Sequence, residues 1–159
     1  MIRKRLLSAC LALALCLSLL PVAVWAENKE NVKYLDEDGT EQTRTDETTI
    51  VDTTTTTLDA STTGGWYVVK DDVNIAQVTV TGDVHLILAD GCNLNVSNGI
   101  VVETGNSLTI YAQSTEDSMG KLTATRSTPF GAGIGGGYNG SSGGTVTING
   151  GTVTANGGS

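Results

Sequence analysis

The feature that most constrains this chain is a rapid succession of very short apolar runs, each alternating with polar residues and each closed by Gly, Asn or Asp. From Trp66 they read Trp66-Tyr67-Val68-Val69, Val73-Asn74-Ile75, Val78-Thr79-Val80, Val84 to Leu88, Leu94-Asn95-Val96, Ile100-Val101-Val102, Leu108 to Tyr111 and Leu122-Thr123-Ala124. Val146-Thr147-Ile148 and Val153-Thr154-Ala155 follow. Alternation of this kind gives a strand one apolar face, here Val78/Val80, Val84/Leu86/Leu88, Leu94/Val96, Leu108/Ile110 and Val146/Ile148. Thr, His, Asn and Tyr occupy the other face. Beyond residue 26 no segment keeps a helical period over ten residues, so the expectation is all-β. Sandwich strands run about 5–6 residues with turns every 8–12. Many runs here are shorter, and Asp90-Gly91, Asn98-Gly99 and Gly105-Asn106 supply frequent corners. Such corners suit a parallel β-solenoid starting near Trp66.

The end of the chain points the same way. Thr145-Val146-Thr147-Ile148-Asn149-Gly150-Gly151 is followed at once by Thr152-Val153-Thr154-Ala155-Asn156-Gly157-Gly158, identical except for Ile against Ala. Repeat architectures bury each unit against its neighbour and need capped ends. The repeats stop at Ser159 without a polar cap. The expectation is an incomplete C-terminal end, either of a fragment or of a surface that pairs with something else.

The N-terminus reads as a secretory signal. Arg3, Lys4 and Arg5 precede an uncharged apolar run, Leu6 to Leu20, then Pro21 and Val24-Trp25-Ala26, with cleavage expected after Ala26. The run is short of the roughly 20 residues that span a bilayer, and no later stretch is apolar enough to do so. Leu7-Ser8-Ala9-Cys10 fits a lipoprotein pattern but precedes the apolar run, so Cys10 and Cys16 are read as signal residues. Removal of residues 1–26 takes the net charge from −8 to −11. Such acidity disfavours nucleic acid and anionic membranes as partners. Cys92 alone survives, so no internal disulfide can form, and it reads as a small buried hydrophobe. Residues 27–63 are acidic and Thr-rich, either a flexible spacer or a small β-cap, with Lys33-Tyr34-Leu35 before Asp38-Gly39 resembling a hairpin start. Residues 64–159 form the solenoid domain, with Gly-rich repeats over 131–159.

Little in this chain points to chemistry. The Gly131 to Gly144 stretch lacks the Lys of a phosphate loop and reads as an insertion between coils. Calcium has a weak donor set there, essentially carbonyls and Asn139, and Asp71, Asp72, Asp83 and Asp90 read as turn residues, so no cofactor or metal is expected. A hydrolase needs two carboxylates across the scissile bond, and beyond Glu103 the acids are Glu116 and Asp117, side by side. His85, the one histidine, reads as a surface or groove residue. Sugar binding needs aromatic faces, and Trp66, Tyr67, Tyr111 and Tyr138 are the candidates, with Tyr111 expected to point outward and Trp66 or Tyr67 to cover an end of the core.

Several segments together resemble large surface proteins of gut-dwelling Gram-positive bacteria. They are Gly65 to Val69, Thr81 to Cys92, Asn106 to Gln113 and Gly131 to Gly137, within a likeness that covers roughly Val32 to Ser159. That family consists of right-handed β-helix proteins often described as carrying a carbohydrate-binding domain. The resemblance implies a right-handed β-helix, a secreted or cell-surface setting and a glycan or a host or cell-wall polysaccharide as partner, and it carries over no catalytic residue. The expected function is non-enzymatic carbohydrate binding or adhesion. A structural stalk is the alternative, and a β-helix polysaccharide lyase is a further one.

Overall fold

The structure is a computed structural model that describes residues 31–137 and 141–158. The expected signal peptide and Tyr138 and Asn139 lie outside the described residues. Apart from one 3-10 turn at Thr63–Gly65, every regular element described is a β-strand. β1 (Val32–Leu35) and β2 (Glu41–Arg44) form an antiparallel hairpin. The strands that follow are β3 (Thr49–Ile50), β4 (Thr57–Asp59), β5 (Trp66–Val69), β6 (Val73–Ile75), β7 (Val78–Thr81), β8 (Asp83–Leu88), β9 (Asn93–Val96) and β10 (Ile100–Val102). Then come β11 (Ser107–Ala112), β12 (Lys121–Thr125), β13 (Ile134–Gly135), β14 (Thr145–Ile148) and β15 (Thr152–Asn156).

These strands pair in parallel into three sheets. The first runs β3-β5-β8-β11-β14, the second β6-β9-β12-β15 and the third β4-β7-β10-β13. From β5 onward, successive strands join the first, second and third sheet in strict rotation. The chain is therefore all-β with parallel sheets, an arrangement compatible with a β-solenoid. Parallel pairing reaches back to β3 and β4, upstream of the start expected at Trp66, because Thr49 and Ile50 pair with Tyr67 and Val68.

Register explains why so short a strand is stable here. Pairing puts like on like: Val73, Leu94, Leu122 and Val153 form one inward row, and Val84, Leu108 and Val146 another. A three-residue strand cannot bury its own face, but one between two neighbours can. Leu86, Leu108, Ile110 and Leu122 are fully buried, each contributing roughly 1.5–3 kcal/mol. Rows lose cover where pairing stops. Ile148, in line with fully buried Ile110, is 53% exposed because β14 has a strand on one side only. The inward face expected over Val146 and Ile148 is thus only partly buried.

The two heptads do not stack on each other. The first supplies β14 beside β11, and the second supplies β15 beside β12. Seven residues here take the chain from one sheet to the next. At the corners Gly91 and Gly99 adopt φ of +80° and +79°, a region that side chains make costly. The long connection from β12 to β13 is held by the buried Arg126, whose Nε donates to Thr128 Oγ1 at 2.8 Å and whose Nη1 donates to the Asn98 carbonyl at 3.2 Å.

The row position of a leucine or isoleucine should set its value. Leu108→Ala is expected to cost about 2–5 kcal/mol in urea denaturation, and Ile148→Ala about 1 kcal/mol or less. Equal losses would overturn this account of the stacking.

Candidate functional site

The first sheet has a second apolar row, on the face turned away from the main core. Pairing aligns Ile50, Val68, Ile87 and Tyr111, and beside them Trp66 with His85. A bare row of this kind would expose apolar surface. Here the β1–β2 hairpin covers all of it except Ile50, which stays 53% exposed: Val32, Val68, Ile87 and Tyr111 form a separate buried cluster against which Tyr34 and Trp66 pack. Tyr111 does point away from Leu108 and Ile110, yet it is only 9% exposed, because the hairpin lies over it. The outward position expected for Tyr111 is therefore not a solvent-facing one.

Four rings meet at this junction. Trp66 stacks on His85 with centroids 4.3 Å apart and planes 14° apart, and lies 5.5 Å from Tyr111. Tyr34, from the hairpin, stands at 5.1 Å and 51° to Trp66 and at 5.0 Å and 70° to Tyr111. The Arg44 guanidinium lies 4.7 Å from the centre of the indole, a cation–π contact that fastens the second hairpin strand. Tyr67 goes elsewhere. Its ring is in the main core and its hydroxyl accepts from Asp59 N–H at 2.7 Å and donates to the Asp59 carbonyl at 3.0 Å. Of the sequence candidates, Trp66 and Tyr111 come together, and Tyr67 is a core residue.

Beside this cluster lies a cleft of about 320 Å³. Tyr34, Trp66 and Tyr111 form its aromatic walls, and Asp36, Glu37, Asp38 and Asn149 its polar rim. The turn places the carboxylates. Asp36 Oδ1 accepts from the backbone N–H of Asp38 at 3.1 Å and of Thr40 at 2.9 Å, and Oδ2 accepts from Gln42 Nε2 at 2.8 Å. The Gln42 bond and then the backbone bonds hold the Asp36 carboxyl below its ordinary range, so it stays ionised. With both Asp36 oxygens engaged, Glu37 and Asp38 carry the free carboxylates of the rim. Both are exposed, and no described Lys or Arg forms a salt bridge with either.

His85 is a half-buried member of the cluster. Its Nδ1 shares a 3.1 Å hydrogen bond with the Tyr111 hydroxyl, and its Nε2 lies 4.0 Å from Asp83, which also accepts from Ser107 Oγ. Burial lowers the imidazole below its usual 6.5, Asp83 opposes this and Arg44 adds to it. Burial pushes the Tyr111 phenol up, with Tyr34 next in effect. The junction is thus held by neutral rings beside an acidic rim, an arrangement that can offer apolar ring faces and hydrogen-bond acceptors to a bound molecule. Cys92 lies in the main core, 2% exposed, where burial raises its thiol, consistent with a packing role. Among the described residues no three His, Cys, Asp or Glu side chains converge as a metal site, and no helix is long and apolar enough to cross a membrane.

Sequence reasoning named two of the seven residues lining the cleft, Trp66 and Tyr111. Tyr34 sat in the segment flagged as a hairpin start and Asn149 in the heptad repeat, but nothing local indicates that these meet Trp66.

The depressed His85 value has a sign that can be measured. A group held neutral in the fold contributes stability that is complete above its unfolded value of 6.5 and is lost as pH falls through its lower folded value. Asp36, Asp52 and Asp59 sit below their usual 3.8, so their contribution is lost only in more acid solution. The melting temperature is expected to fall between about pH 7 and 5, and His85→Phe is expected to flatten that segment and leave the acid limb.

Comparison with protein-family models, with curated proteins and with solved structures yields no match.

Proposed function

We infer that this chain is a secreted or cell-surface module built as a right-handed parallel β-helix, and that it binds carbohydrate without catalysis. The observation that carries the reading is the cleft where Tyr34, Trp66 and Tyr111 meet Asp36, Glu37, Asp38 and Asn149. Sugars present C–H faces that pack on aromatic rings and hydroxyls that donate to carboxylates and amides, and pockets combining apolar walls with a few convergent polar groups are the usual form of a small-ligand site. The rotation of short parallel strands supports the β-helix, and parallel crossovers strongly favour the right hand. The signal-like residues 1–26 and the resemblance to surface proteins of gut Gram-positive bacteria support the location.

One observation favours a second reading, a structural stalk. Much of the aromatic surface is spent on internal contacts: Trp66 carries His85 and Arg44, and Tyr111 is covered. On this reading the rings exist to dock the hairpin.

A glycan array separates the two readings. Trp66 and Tyr111 are poor probes because their loss would also release the hairpin. Asn149→Ala and Asp38→Ala change rim groups outside the ring stack. A binder is expected to show reproducible retention that falls roughly tenfold in these variants while the β-type circular dichroism spectrum stays unchanged. A blank array with a folded protein would overturn the carbohydrate reading in favour of the stalk.

A further inference from the structure

The two ends of the stacked sheets differ. At the end formed by β3, β4 and β6 the core is closed by the chain itself. Val51, Leu58 and Tyr67 are buried there, and Val73 and Ile75 are only 4% and 5% exposed although β6 has a neighbour on one side only. At the opposite end β13, β14 and β15 also have one neighbour each. Here the inward rows finish on Ile134, Val146 and Val153, which are partly exposed, and on Ile148, which is largely so. Among the described residues no strand pairs with the free side of β14 or β15.

An open edge is ordinarily guarded by Lys, by Pro, by a bulge or by inward-pointing charge. Thr145–Ile148 and Thr152–Asn156 carry no charged residue and no Pro. The neutrality extends further, for no residue from 127 to 159 has a charged side chain. Of the three large hydrophobics described as exposed, Ile148 and Phe130 both belong to this stretch.

Charge and symmetry together select what fits this end. The net charge of −11 carried beyond residue 26 lies entirely at or before Arg126. Copies of the chain therefore repel over most of their surface, but two of these ends meet without like charges opposed. A partner recognised by its charge would find no counter-charge in these residues. A head-to-tail contact would need the open edge to meet the closed end at β3 and β4, whereas a two-fold contact needs only the open edge twice. β14 is also complementary to itself. Antiparallel pairing of two copies, centred on Thr147, sets Val146 opposite the partner's Ile148 on the core side and Thr147 opposite the partner's Thr147 on the outer side. Thr–Thr and β-branched pairs of this kind stabilise antiparallel neighbours.

We propose that the open end of the stack is an interface for a second copy of this chain, joined by antiparallel pairing of β14 with β14 about a two-fold axis. Each core then gains the neighbour that its last inward row lacks.

The test is sedimentation equilibrium of the exported full-length chain over roughly 1–100 µM. A reversible dimer that grows no further is expected. Thr147 is exposed on the outer side of β14, so Thr147→Lys sets two like charges opposite each other across the pairing and leaves the core untouched. It is expected to raise the dissociation constant at least about tenfold with an unchanged β-type circular dichroism spectrum, and Thr147→Glu is expected to do the same. An equimolar mixture of the two variants is expected to dimerise again, because Lys then faces Glu. Thr79→Lys makes the same change at an exposed position of β7, which has strands on both sides, and is expected to leave the dimer intact. A monomer throughout the range would overturn the proposal. So would a dimer that both Thr147 variants leave unchanged, or a mixture of those variants that stays monomeric. Growth into species larger than a dimer would overturn the closed two-fold contact.

Discussion

Side-chain rows running across the parallel sheets are the interaction on which everything else in this protein depends. No strand described here is longer than six residues, and several have two or three. None could bury its apolar face alone. In register, each Val, Leu or Ile lies between its equivalents on the strands before and after, so cover comes from neighbours in space. Leu86, Leu108 and Leu122 are completely buried in this way, while Val146, Val153 and Ile134, on strands with one neighbour, are only partly so. Stability is accordingly graded along the stack.

The candidate site is a by-product of one departure from that scheme. Outward faces of parallel sheets in this chain carry mainly Thr, Asn and Asp, as on β9 with Asn93 and Asn95, where Asn95 Nδ2 donates to Asn74 at 3.2 Å. The first sheet instead carries Val68, Ile87 and Tyr111 outward. That apolar row must be covered, and the hairpin covers it with Val32 and Tyr34. Because the hairpin turn is acidic, covering the row also brings carboxylates to the edge of an aromatic cluster. Packing demand and binding potential therefore share the same residues, and either can be altered only with attention to the other.

Electrostatics at this junction is set by layers. Rings and a neutral imidazole lie inside, Arg44 spans hairpin and sheet, and the carboxylates stand outside in solvent. Exposed pairs such as Lys33–Glu41 at 2.8 Å add little to hairpin stability, since solvent screens them. Docking rests on the ring contacts and on the guanidinium over Trp66. Burial holds His85 neutral below the usual imidazole range, and its protonation in more acid solution would set a second cation beside Arg44.

The sequence by itself determined most of the strands from Trp66 onward and which of their faces turn inward, and it left β3, β4 and β13 unmarked. Alternation at Val84/Leu86/Leu88 or Leu94/Val96 is local and sets which face turns inward, while the depth of burial depends on the strands on either side. A hairpin start at Lys33-Tyr34-Leu35 and the Asp-Gly turn was one of two readings left open for residues 27–63, the other being a flexible spacer. Local pattern could not say that the heptads would feed different sheets, that β3 would pair with Val68, or that the outward Tyr111 would be covered by the hairpin. Those outcomes depend on register and on which segment lies across which sheet. The site belongs to this second kind: Tyr34, Trp66, Tyr111 and Asn149 come from widely separated stretches, and only the parallel pairing of the strands and the docking of the hairpin bring them to one cleft. Periodicity encodes which way a side chain faces, and the tertiary structure decides what it faces.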